Sequence, residues 1–279
     1  MAGKLYLVAT PIGNLEDITF RAIRILREAD LIGAEDTRHS IRLLNHFNIK
    51  TPMTSYHEFN KIEKAKYLVG EILAGKNIAV ITDAGTPGIS DPGEELVKQC
   101  IEAGIEVTSV PGPAACITAL TMSGQSTRRF AFEAFLPYDK KERGLILEQL
   151  KEETRTIIIY EAPHRLVKTL EELRDILGDR DITLCRELTK LHESAEKSTL
   201  SLLIDKYKNC DVKGEYVLVI AGKTFEEKRR EEIASFQEIT VEEHMAIYEA
   251  KGMDRKEAMK QVARDRGVSK RDIYNIICK

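Results

Sequence analysis

Three loops rich in glycine and proline each follow a short β-branched run, and ligands bind at such strand ends in open α/β sheets. The loops are Thr10–Asn14, Asp83–Gly93 and Pro111–Ala115. Glycine lets a ligand approach the backbone and proline stiffens the loop, so the three loops predict a cradle of backbone N–H and C=O groups. Because none of them contains a lysine, the cradle favours a neutral, adenosine-like ligand over a nucleoside triphosphate.

Charged residues follow three other predicted strands and could supply acid–base or ion-binding groups. Glu35–His39 ends the second strand, Tyr160–Arg165 follows a strand in the second half, and Cys185–Glu193 follows a later one. Each run alone is typical of a solvated helix start, and a histidine alone is weak evidence for a general base. Their position at strand ends associates them with the glycine-rich loops.

The elements that must position these loops alternate between short apolar runs and longer amphipathic stretches. Strands are predicted at Leu5–Ala9, Ile78–Thr82, Glu106–Val110, Thr156–Tyr160, Ile182–Arg186 and Tyr216–Ala221, and the second half restarts at Phe130–Leu136. The runs are continuous rather than alternating, so we expect strands buried on both faces. The pattern predicts an α/β fold with mostly parallel sheets.

Two helix starts carry recognisable capping residues. Asn60 and Glu63 predict a capping box before a helix of about 14 residues. Asp91 and Pro92 predict the N-cap and first residue of another helix, which Gly104 ends. Composition shifts near 122–129 and after 221 predict α/β domains at 1–123 and 124–224 and a helical unit at 236–279.

The last stretch has the spacing of a helix-turn-helix. Residues 254–266 predict one helix, Gly267 the left-handed turn, and Ser269 with Asp272 the capped start of a helix to about Ile277. This tail, from residue 251 onward, has a formal charge of +5, whereas the rest of the chain has −8. A basic helical unit on an acidic body predicts contact with nucleic acid.

Composition excludes several classes of protein. The net charge of −3 excludes a uniformly basic nucleic-acid binder, and no apolar run approaches the length of a membrane span. The five cysteines are Cys100, Cys116, Cys185, Cys210 and Cys278. They form no CxxC pair and are odd in number, so we expect a protein of the reducing cytoplasm, without a zinc site or disulfide framework. The chain contains no GxGxxG motif, the sequence pattern of a dinucleotide-binding site.

Long motifs in this chain resemble one family closely. They are VATPIGNLEDIT, AEDTR, TDAGTPGISDPG, VPGP, YEAPHRL, CRELTKLHE and KGEYVLVI. The chain is similar to the bacterial small-subunit ribosomal RNA 2′-O-cytidine methyltransferases of the tetrapyrrole-methylase superfamily. The resemblance implies two α/β domains with an S-adenosylmethionine site in the cleft between them, a small C-terminal helical unit and a homodimer. It also implies methylation of the ribose 2′-hydroxyl of a decoding-centre cytidine of 16S rRNA (position 1402 in the usual rRNA numbering), in the assembled 30S subunit.

The resemblance assigns the cofactor-binding residues, whereas the catalytic and RNA-binding candidates follow from the charged runs, the needs of methyl transfer and the basic tail. None of these residues is expected to bind a metal. The cofactor-binding set is Pro11, Asp83, Gly85, Thr86, Pro87, Gly88, Ile89, Ala115, Cys116, Tyr160, Leu188 and Glu215. The catalytic set is Glu161, Arg186, Glu187 and Lys190, in which a glutamate is the candidate base and the two cations hold RNA phosphates or lower the pKa of the hydroxyl. The RNA-binding set is Arg38, Lys270 and Arg271.

Three positions depart from the pattern that the resemblance leads us to expect. Ala114 and Ala162 stand where serine is common, and Ala134 stands where glycine is usual. The two serines would supply hydroxyl groups to the site, so any side-chain hydrogen bond at those places is in doubt.

Two other functions stay open at the level of sequence. The fold could instead methylate a tetrapyrrole or another small molecule. Alternatively, the chain could be a DNA-binding regulator whose N-terminal domains sense a small molecule, as the helix-turn-helix spacing suggests.

Overall fold

The computed structural model describes residues 2–277, and within them five parallel strands form the first sheet in the order β3-β2-β4-β1-β5. These strands are β1 (Lys4–Val8), β2 (Leu31–Ala34), β3 (Met53–Ser55), β4 (Ile78–Ile81) and β5 (Glu106–Val110). The helices of this half are α1 (Phe20–Glu28), α2 (Thr37–His46), α3 (Lys61–Leu73), α4 (Gly93–Glu102) and α5 (Ala115–Met122).

Strand β4 shows why its sequence is continuously apolar. Ala79 and Ile81 pack into a cluster with residues of α1 and α2, whereas Ile78 and Val80 pack into another cluster with residues of α3 and α4. Successive side chains of a strand point to opposite faces, so a sheet covered on both faces needs apolar residues at every position. The expected parallel α/β architecture is confirmed in this half.

The second five-stranded sheet of the described residues has the order β6-β7-β10-β8-β9. Its strands are β6 (Phe130–Phe135), β7 (Thr156–Glu161), β8 (Asp181–Arg186), β9 (Ser194–Thr199) and β10 (Tyr216–Ile220). Its helices are α6 (Lys140–Lys151), α7 (Leu166–Leu177) and α8 (Leu200–Tyr207).

The expectation of mostly parallel strands is wrong for this second sheet. Strands β6 and β7 are parallel, but the pairs β7–β10, β10–β8 and β8–β9 are antiparallel. The short connection from β8 to β9 brings the next strand back antiparallel, and β10 then enters between β7 and β8. A continuous apolar run reports burial on both faces, which β10 has, and it does not report strand direction.

The last part of the chain is helical. The first compact unit comprises the chain up to Leu150 together with Arg155–Ala221. The second compact unit comprises Lys151–Thr154 and the chain from Gly222 onward. Its helices are α9 (Phe225–Gln237), α10 (Val241–Ala250), α11 (Arg255–Asp265) and α12 (Lys270–Ile277). The domain limits expected at 1–123, 124–224 and 236–279 stay a prediction.

The predicted turn between the last two helices is confirmed. Gly267 has φ 65°, the left-handed conformation that glycine adopts without strain. The Ser269 backbone N–H donates to Asp272 Oδ2 at 3.0 Å, and the Asp272 N–H donates to Ser269 Oγ at 3.2 Å, which is a reciprocal capping box. Ile273 is buried against residues of α10 and α11.

Two predicted helix starts differ in detail. Helix α3 begins after Asn60 as expected, but the Asn60 side chain accepts from the His57 N–H at 2.9 Å and forms no capping bond. Pro92, rather than Asp91, is the N-cap of α4, and Asp91 Oδ1 accepts from the N–H groups of Gly88 and Gly93. A sequence pattern identifies the cap chemistry but does not fix the residue at which the backbone turns.

Among residues 2–277, no helix is long and apolar enough to cross a membrane. Cys100, Cys116 and Cys185 are buried, Cys210 is exposed, and all four are unpaired. Cys278 lies outside the described residues.

Ala134 lies at an irregularity in β6, where the pairing with β7 shifts register between Phe132 and Phe135. Its φ of 52° is a left-handed backbone conformation, which is strained for a residue with a Cβ atom and unstrained for glycine. We expect Ala134→Gly to raise the free energy of unfolding by about 0.5–1 kcal/mol, after the entropic cost of glycine is subtracted. Denaturant unfolding measures this, and an equal or lower midpoint would contradict the strain argument. Ala131→Gly, in the regular part of β6, should destabilise the protein.

Candidate functional site

A cavity of about 500 Å³, here called the first cavity, opens where loops of the two sheets meet within the first unit. Because β1, β4 and β5 are parallel, their following loops lie at one edge of the first sheet and contribute Ile12, Ala84–Thr86, Ile89, Ala114 and Ala115. The second sheet contributes Phe135, Tyr160–His164, Leu188 and Glu215–Val217. The described lining residues include no lysine or arginine, and most are apolar.

The antiparallel direction of β10 explains how Glu215 reaches this cavity. In the sheet register, Tyr216 is opposite both Glu161, at the end of β7, and Arg186, at the end of β8. The start of β10 therefore lies beside two strand ends, and the residue before it joins the same cluster of loops. A parallel sheet would have placed the start of that strand at the opposite edge.

Tyr160 links the two sheets at the wall of the cavity. Its hydroxyl oxygen accepts a hydrogen bond from the backbone N–H of Cys116, at the start of α5, at 2.9 Å. Burial raises the pKa of the phenol, so it stays protonated at neutral pH. Phe132 and Phe135 pack edge-on against its ring, with centroid distances of 4.9 and 5.5 Å.

Gly85 lines the first cavity, but its backbone groups are already used. Its N–H donates to the Thr10 carbonyl at 3.1 Å, and its carbonyl accepts from the Thr10 N–H at 2.9 Å. Gly85 has φ 91° and Gly88 has φ 87°. The expected cradle of free backbone groups therefore does not extend to Gly85, which contributes its conformation and its lack of a side chain.

A second cavity of about 410 Å³ adjoins the first, because Ile12, Ala84 and Glu215 line both. Helix α2 contributes His39, Ser40, Arg42, Leu43 and His46. The strand-end residues Thr10–Gly13, Leu15, Thr82–Ala84 and Lys190 form the rest of its wall. Basic side chains are therefore present here, in contrast to the first cavity.

Glu161 lines the first cavity, and neighbouring groups hold its carboxylate. It is 2% exposed, and it accepts from Thr169 Oγ1 at 2.5 Å and from the Ala162 N–H at 2.8 Å. Arg165 Nε lies 3.4 Å from the same carboxylate. These contacts hold the carboxylate in place and occupy most of its about four accepting sites.

Glu187, Lys190 and Glu215 form a charged cluster beside the two cavities. Lys190 Nζ lies 2.9 Å from both Glu187 Oε1 and Glu215 Oε2, and the Glu215 N–H also donates to Glu187. The hydrogen bond from Lys190 lowers the pKa of Glu187. Desolvation lowers the pKa of Lys190, but the two carboxylates outweigh it and the net shift is upward. Glu187 is thus held ionised by its partners.

The predicted residues fall into three groups in the structure. Those on the wall of the first cavity are Gly85, Thr86, Ile89, Ala115, Tyr160, Glu161, Leu188 and Glu215. Those on the wall of the second cavity are Pro11, Asp83, Lys190 and again Glu215. Those lining neither are Arg38, Pro87, Gly88, Cys116, Arg186 and Glu187, and Lys270 and Arg271 lie on α12. The binding and catalytic roles of all of them stay predictions.

Some lining residues were not anticipated from the sequence. Arg42 and His46 of α2 lie outside the charged run Glu35–His39 that the sequence singled out, and their spacing places them on one helix face with His39. Their periodicity was a usable signal, because the buried residue Leu44 marks the opposite, inward side of the same helix. Phe135 and Val217 gave no such signal, since both belong to apolar strand patterns.

The described residues contain no group of histidine, cysteine and carboxylate side chains that could hold a metal ion. Arg38 is paired with Asp36, with Nη2 2.8 Å from Oδ2, and its side chain is 89% exposed. This arrangement lowers the pKa of Asp36 and keeps the guanidinium at the surface.

Comparison with known proteins identifies the family of this chain. Residues 4–203 match the model of the tetrapyrrole (corrin/porphyrin) methylases. The chain is 50% identical over 274 residues to ribosomal RNA small subunit methyltransferase I of Halalkalibacterium halodurans, covering 98% of this chain and 94% of that protein. It is 46% identical to the protein of the same name from Bacillus subtilis, covering 98% of this chain and 93% of the relative.

Solved structures share the fold at much lower identity. A diphthine synthase matches 78% of this chain and 90% of its own with a TM-score of 0.62 at 13% identity. The uroporphyrin-III C-methyl transferase of Thermus thermophilus, complexed with S-adenosyl homocysteine, matches 78% of this chain and 97% of its own with a TM-score of 0.57 at 21% identity. The chain belongs to the tetrapyrrole methylase family, and within it to the group of proteins named ribosomal RNA small subunit methyltransferase I.

Proposed function

We propose that this chain is an S-adenosylmethionine-dependent methyltransferase that methylates the ribose 2′-hydroxyl of a decoding-centre cytidine of 16S rRNA. The observation that carries the proposal is the first cavity, which is mostly apolar, contains two glutamates and has no lysine or arginine among its described lining residues. Its volume of about 500 Å³ suits a small organic ligand. The names of the relatives supply the substrate class.

The lining residues fit a positively charged, adenosine-containing ligand. When bound, S-adenosylmethionine supplies a methyl group that its sulfonium has already activated. Ile89, Ala114 and Leu188 offer apolar surface for the adenosine, and no lysine or arginine among the described lining residues is available to hold a triphosphate. Ala114 and Ala162 supply no hydroxyl group, so polar contacts in this wall fall to Thr86, Tyr160 and the backbone.

The protein's remaining task is to align the ribose oxygen and remove one proton. Alignment and the exclusion of water can contribute several kcal/mol to lowering the barrier. The target cytidine must leave its stack to reach a cavity, which costs a few kcal/mol and favours an already dynamic nucleotide. Lys190 lies beside both cavities and could contact the RNA from its cluster with Glu187 and Glu215.

We extend the proposal to the setting in which the enzyme acts. It is a homodimer that acts in the cytoplasm on rRNA in the assembled 30S subunit, with Arg38, Lys270 and Arg271 contacting RNA. Large apolar side chains such as Phe20, Phe59 and Leu191 are more than nine-tenths exposed in a single chain, which supports an assembly that covers some of them. Sedimentation of the full chain measures the assembly state.

The basic helix α12 gives a prediction about salt dependence. Lys270 and Arg271 are exposed at its start, so replacing both with alanine should weaken rRNA binding and reduce the slope of log K against log salt by about 2. Cofactor affinity should not change. Lys228 and Arg229, exposed on α9, are matched controls. Unaltered salt dependence in the α12 variant would assign this helix to packing or assembly.

The completed helix-turn-helix geometry favours a second candidate, a DNA-binding regulator that senses a small molecule. Transfer of labelled methyl groups separates this function and a tetrapyrrole methylase from the proposed one. With 30S subunits, uroporphyrinogen and duplex DNA offered in parallel, we expect label in the rRNA alone. Label in the tetrapyrrole, or tight duplex binding without transfer, would favour the corresponding alternative.

Calorimetry tests the cofactor separately. We expect S-adenosylhomocysteine to bind with no added metal, and ATP to bind at least about 100-fold more weakly, because the first cavity offers carboxylates and no cation to a triphosphate. Binding of ATP without binding of the homocysteine product would contradict the assignment of the cavity.

A further inference from the structure

We propose that the second cavity holds the acceptor nucleotide of the RNA, with a phosphate against the α2 face and the ribose beside Asp83. This inference rests on the proposed function and specifies where the RNA binds. The cavity measures about 410 Å³, and it shares Ile12, Ala84 and Glu215 with the first cavity. The two cavities therefore adjoin at these residues, and direct methyl transfer requires the two ligands to meet there, with the ribose oxygen about 3–3.5 Å from the methyl carbon.

The α2 face supplies the group for a phosphate. Asp36 caps the helix by accepting from the Arg38 N–H at 2.8 Å, and the buried Leu44 fixes its inward side. His39, Arg42 and His46 then recur on the cavity side. Arg42 is exposed, and within residues 2–277 no acidic side chain forms an ion pair with it. An arginine without an internal partner can bind a phosphate without first breaking a contact.

The strand end beside the N-terminus of α2 supplies a carboxylate. Asp83 follows β4, where Thr82 Oγ1 donates to Glu35 at 2.6 Å and the Asp83 N–H donates to the same carboxylate at 3.3 Å. Asp83 Oδ1 accepts from the Asp36 N–H at 3.2 Å, and the residue is exposed to the cavity. Partial burial and the nearby charge of Glu35 raise its pKa, so Asp83 is a better proton acceptor than an ordinary aspartate.

The geometry favours Asp83 over the two glutamates predicted from the sequence. Three neighbouring groups hold Glu161, and Lys190 together with the Glu215 N–H holds Glu187. Asp83 accepts from one backbone N–H and lies directly before Ala84, which lines both cavities. As the ribose oxygen bonds to the methyl carbon, the carbon–sulfur bond of the donor breaks with its electrons kept by sulfur. The hydroxyl proton passes to an Asp83 oxygen.

Two variants of the protein test the phosphate contact and the proton acceptor separately. Arg42→Ala should weaken binding of a decoding-centre rRNA fragment by about tenfold, measured without cofactor, and lower the salt slope by about 1. Arg42→Lys should restore most of the affinity because it keeps the charge. Arg24→Ala is the matched control, since Arg24 is an exposed arginine paired with Glu28 on α1.

Asp83→Asn keeps an oxygen that can accept from the Asp36 N–H, so we expect a folded protein with RNA and S-adenosylhomocysteine affinities within about threefold of wild type. Its kcat should fall by about 100-fold or more, the typical effect of losing a general base. Full turnover in Asp83→Asn, or RNA affinity unchanged in Arg42→Ala, would overturn the inference while wild-type rRNA methylation still stood. A loss of S-adenosylhomocysteine affinity in Arg42→Ala would assign the second cavity to the cofactor and overturn it as well. Absence of methylation by the wild type would instead refute the proposed function.

Discussion

Replacing Gly85 with valine is expected to lower the affinity for S-adenosylhomocysteine by at least about tenfold, or roughly 1.4 kcal/mol. Gly85 lines the first cavity and has φ 91°, a conformation that a β-branched residue avoids. An added Cβ would already be in van der Waals contact with Ile12 Cγ2, at 3.4 Å, so the larger valine side chain finds no free space on that side. The valine methyl groups must therefore occupy the cavity or displace the loop, and isothermal calorimetry measures the loss.

Gly88 provides the matched control for this variant. It has φ 87°, but it lines neither cavity, and a Cβ added there meets nothing within 4 Å. Gly88→Val should therefore lose a similar amount of stability through backbone strain and much less affinity. Equal affinity losses in the two variants would attribute the effect to strain in the loop. Wild-type affinity in a folded Gly85→Val protein would place the cofactor elsewhere.

Glu161→Gln is expected to lower the free energy of unfolding by about 2–4 kcal/mol. The carboxylate is buried and accepts from Thr169 and Ala162, and Arg165 lies 3.4 Å away with a side chain only 12% exposed. Glutamine replaces one acceptor with an NH₂ group that faces these donors, and it leaves the Arg165 charge without its counter-ion. Thermal or denaturant unfolding measures the change.

Turnover per folded molecule then separates a structural role of Glu161 from a catalytic one. We expect Glu161→Gln to keep most of its activity at a temperature where it remains folded. Glu172→Gln is the control, because Glu172 on α7 pairs with the buried Arg143 on α6 and lines neither cavity. A loss of 100-fold or more in folded Glu161→Gln alone would identify Glu161 as the base, as first predicted from the sequence, and would contradict the assignment to Asp83.

The elements that position the site were predictable where one feature of the sequence decided them. In the first sheet β1, β4 and β5 follow from apolar runs with helices between them, whereas the short β3 has no such run and was not predicted. The turn at Gly267 follows from a glycine between two helical patterns. The second sheet was mispredicted because strand direction is absent from a residue pattern and arises from the pairing of β10 with β7 and β8. That pairing carries Glu215 to the cavity.

The loops that form the site were predictable from the sequence. The hydrogen bonds and ion pairs within the site were less predictable. Glycine and proline marked the loops that line the first cavity, because their conformational effects are local. Partners distant in the chain were not visible, such as Thr169 on Glu161 or Thr10 on Gly85. These contacts decide which carboxylates and backbone groups are already engaged, and they are the basis for proposing Asp83 rather than Glu161 as the group that takes the hydroxyl proton.

Mapping of ribose methylation on small-subunit rRNA tests the central claim most directly. Ribosomes from a strain that lacks this protein, from the same strain supplied with it, and from one supplied with Asp83→Asn would be compared nucleotide by nucleotide. We predict a single 2′-O-methyl group at the decoding-centre cytidine that appears with the wild-type protein and is lost or strongly reduced with Asp83→Asn. Identical methylation maps with and without the wild-type protein would contradict the account.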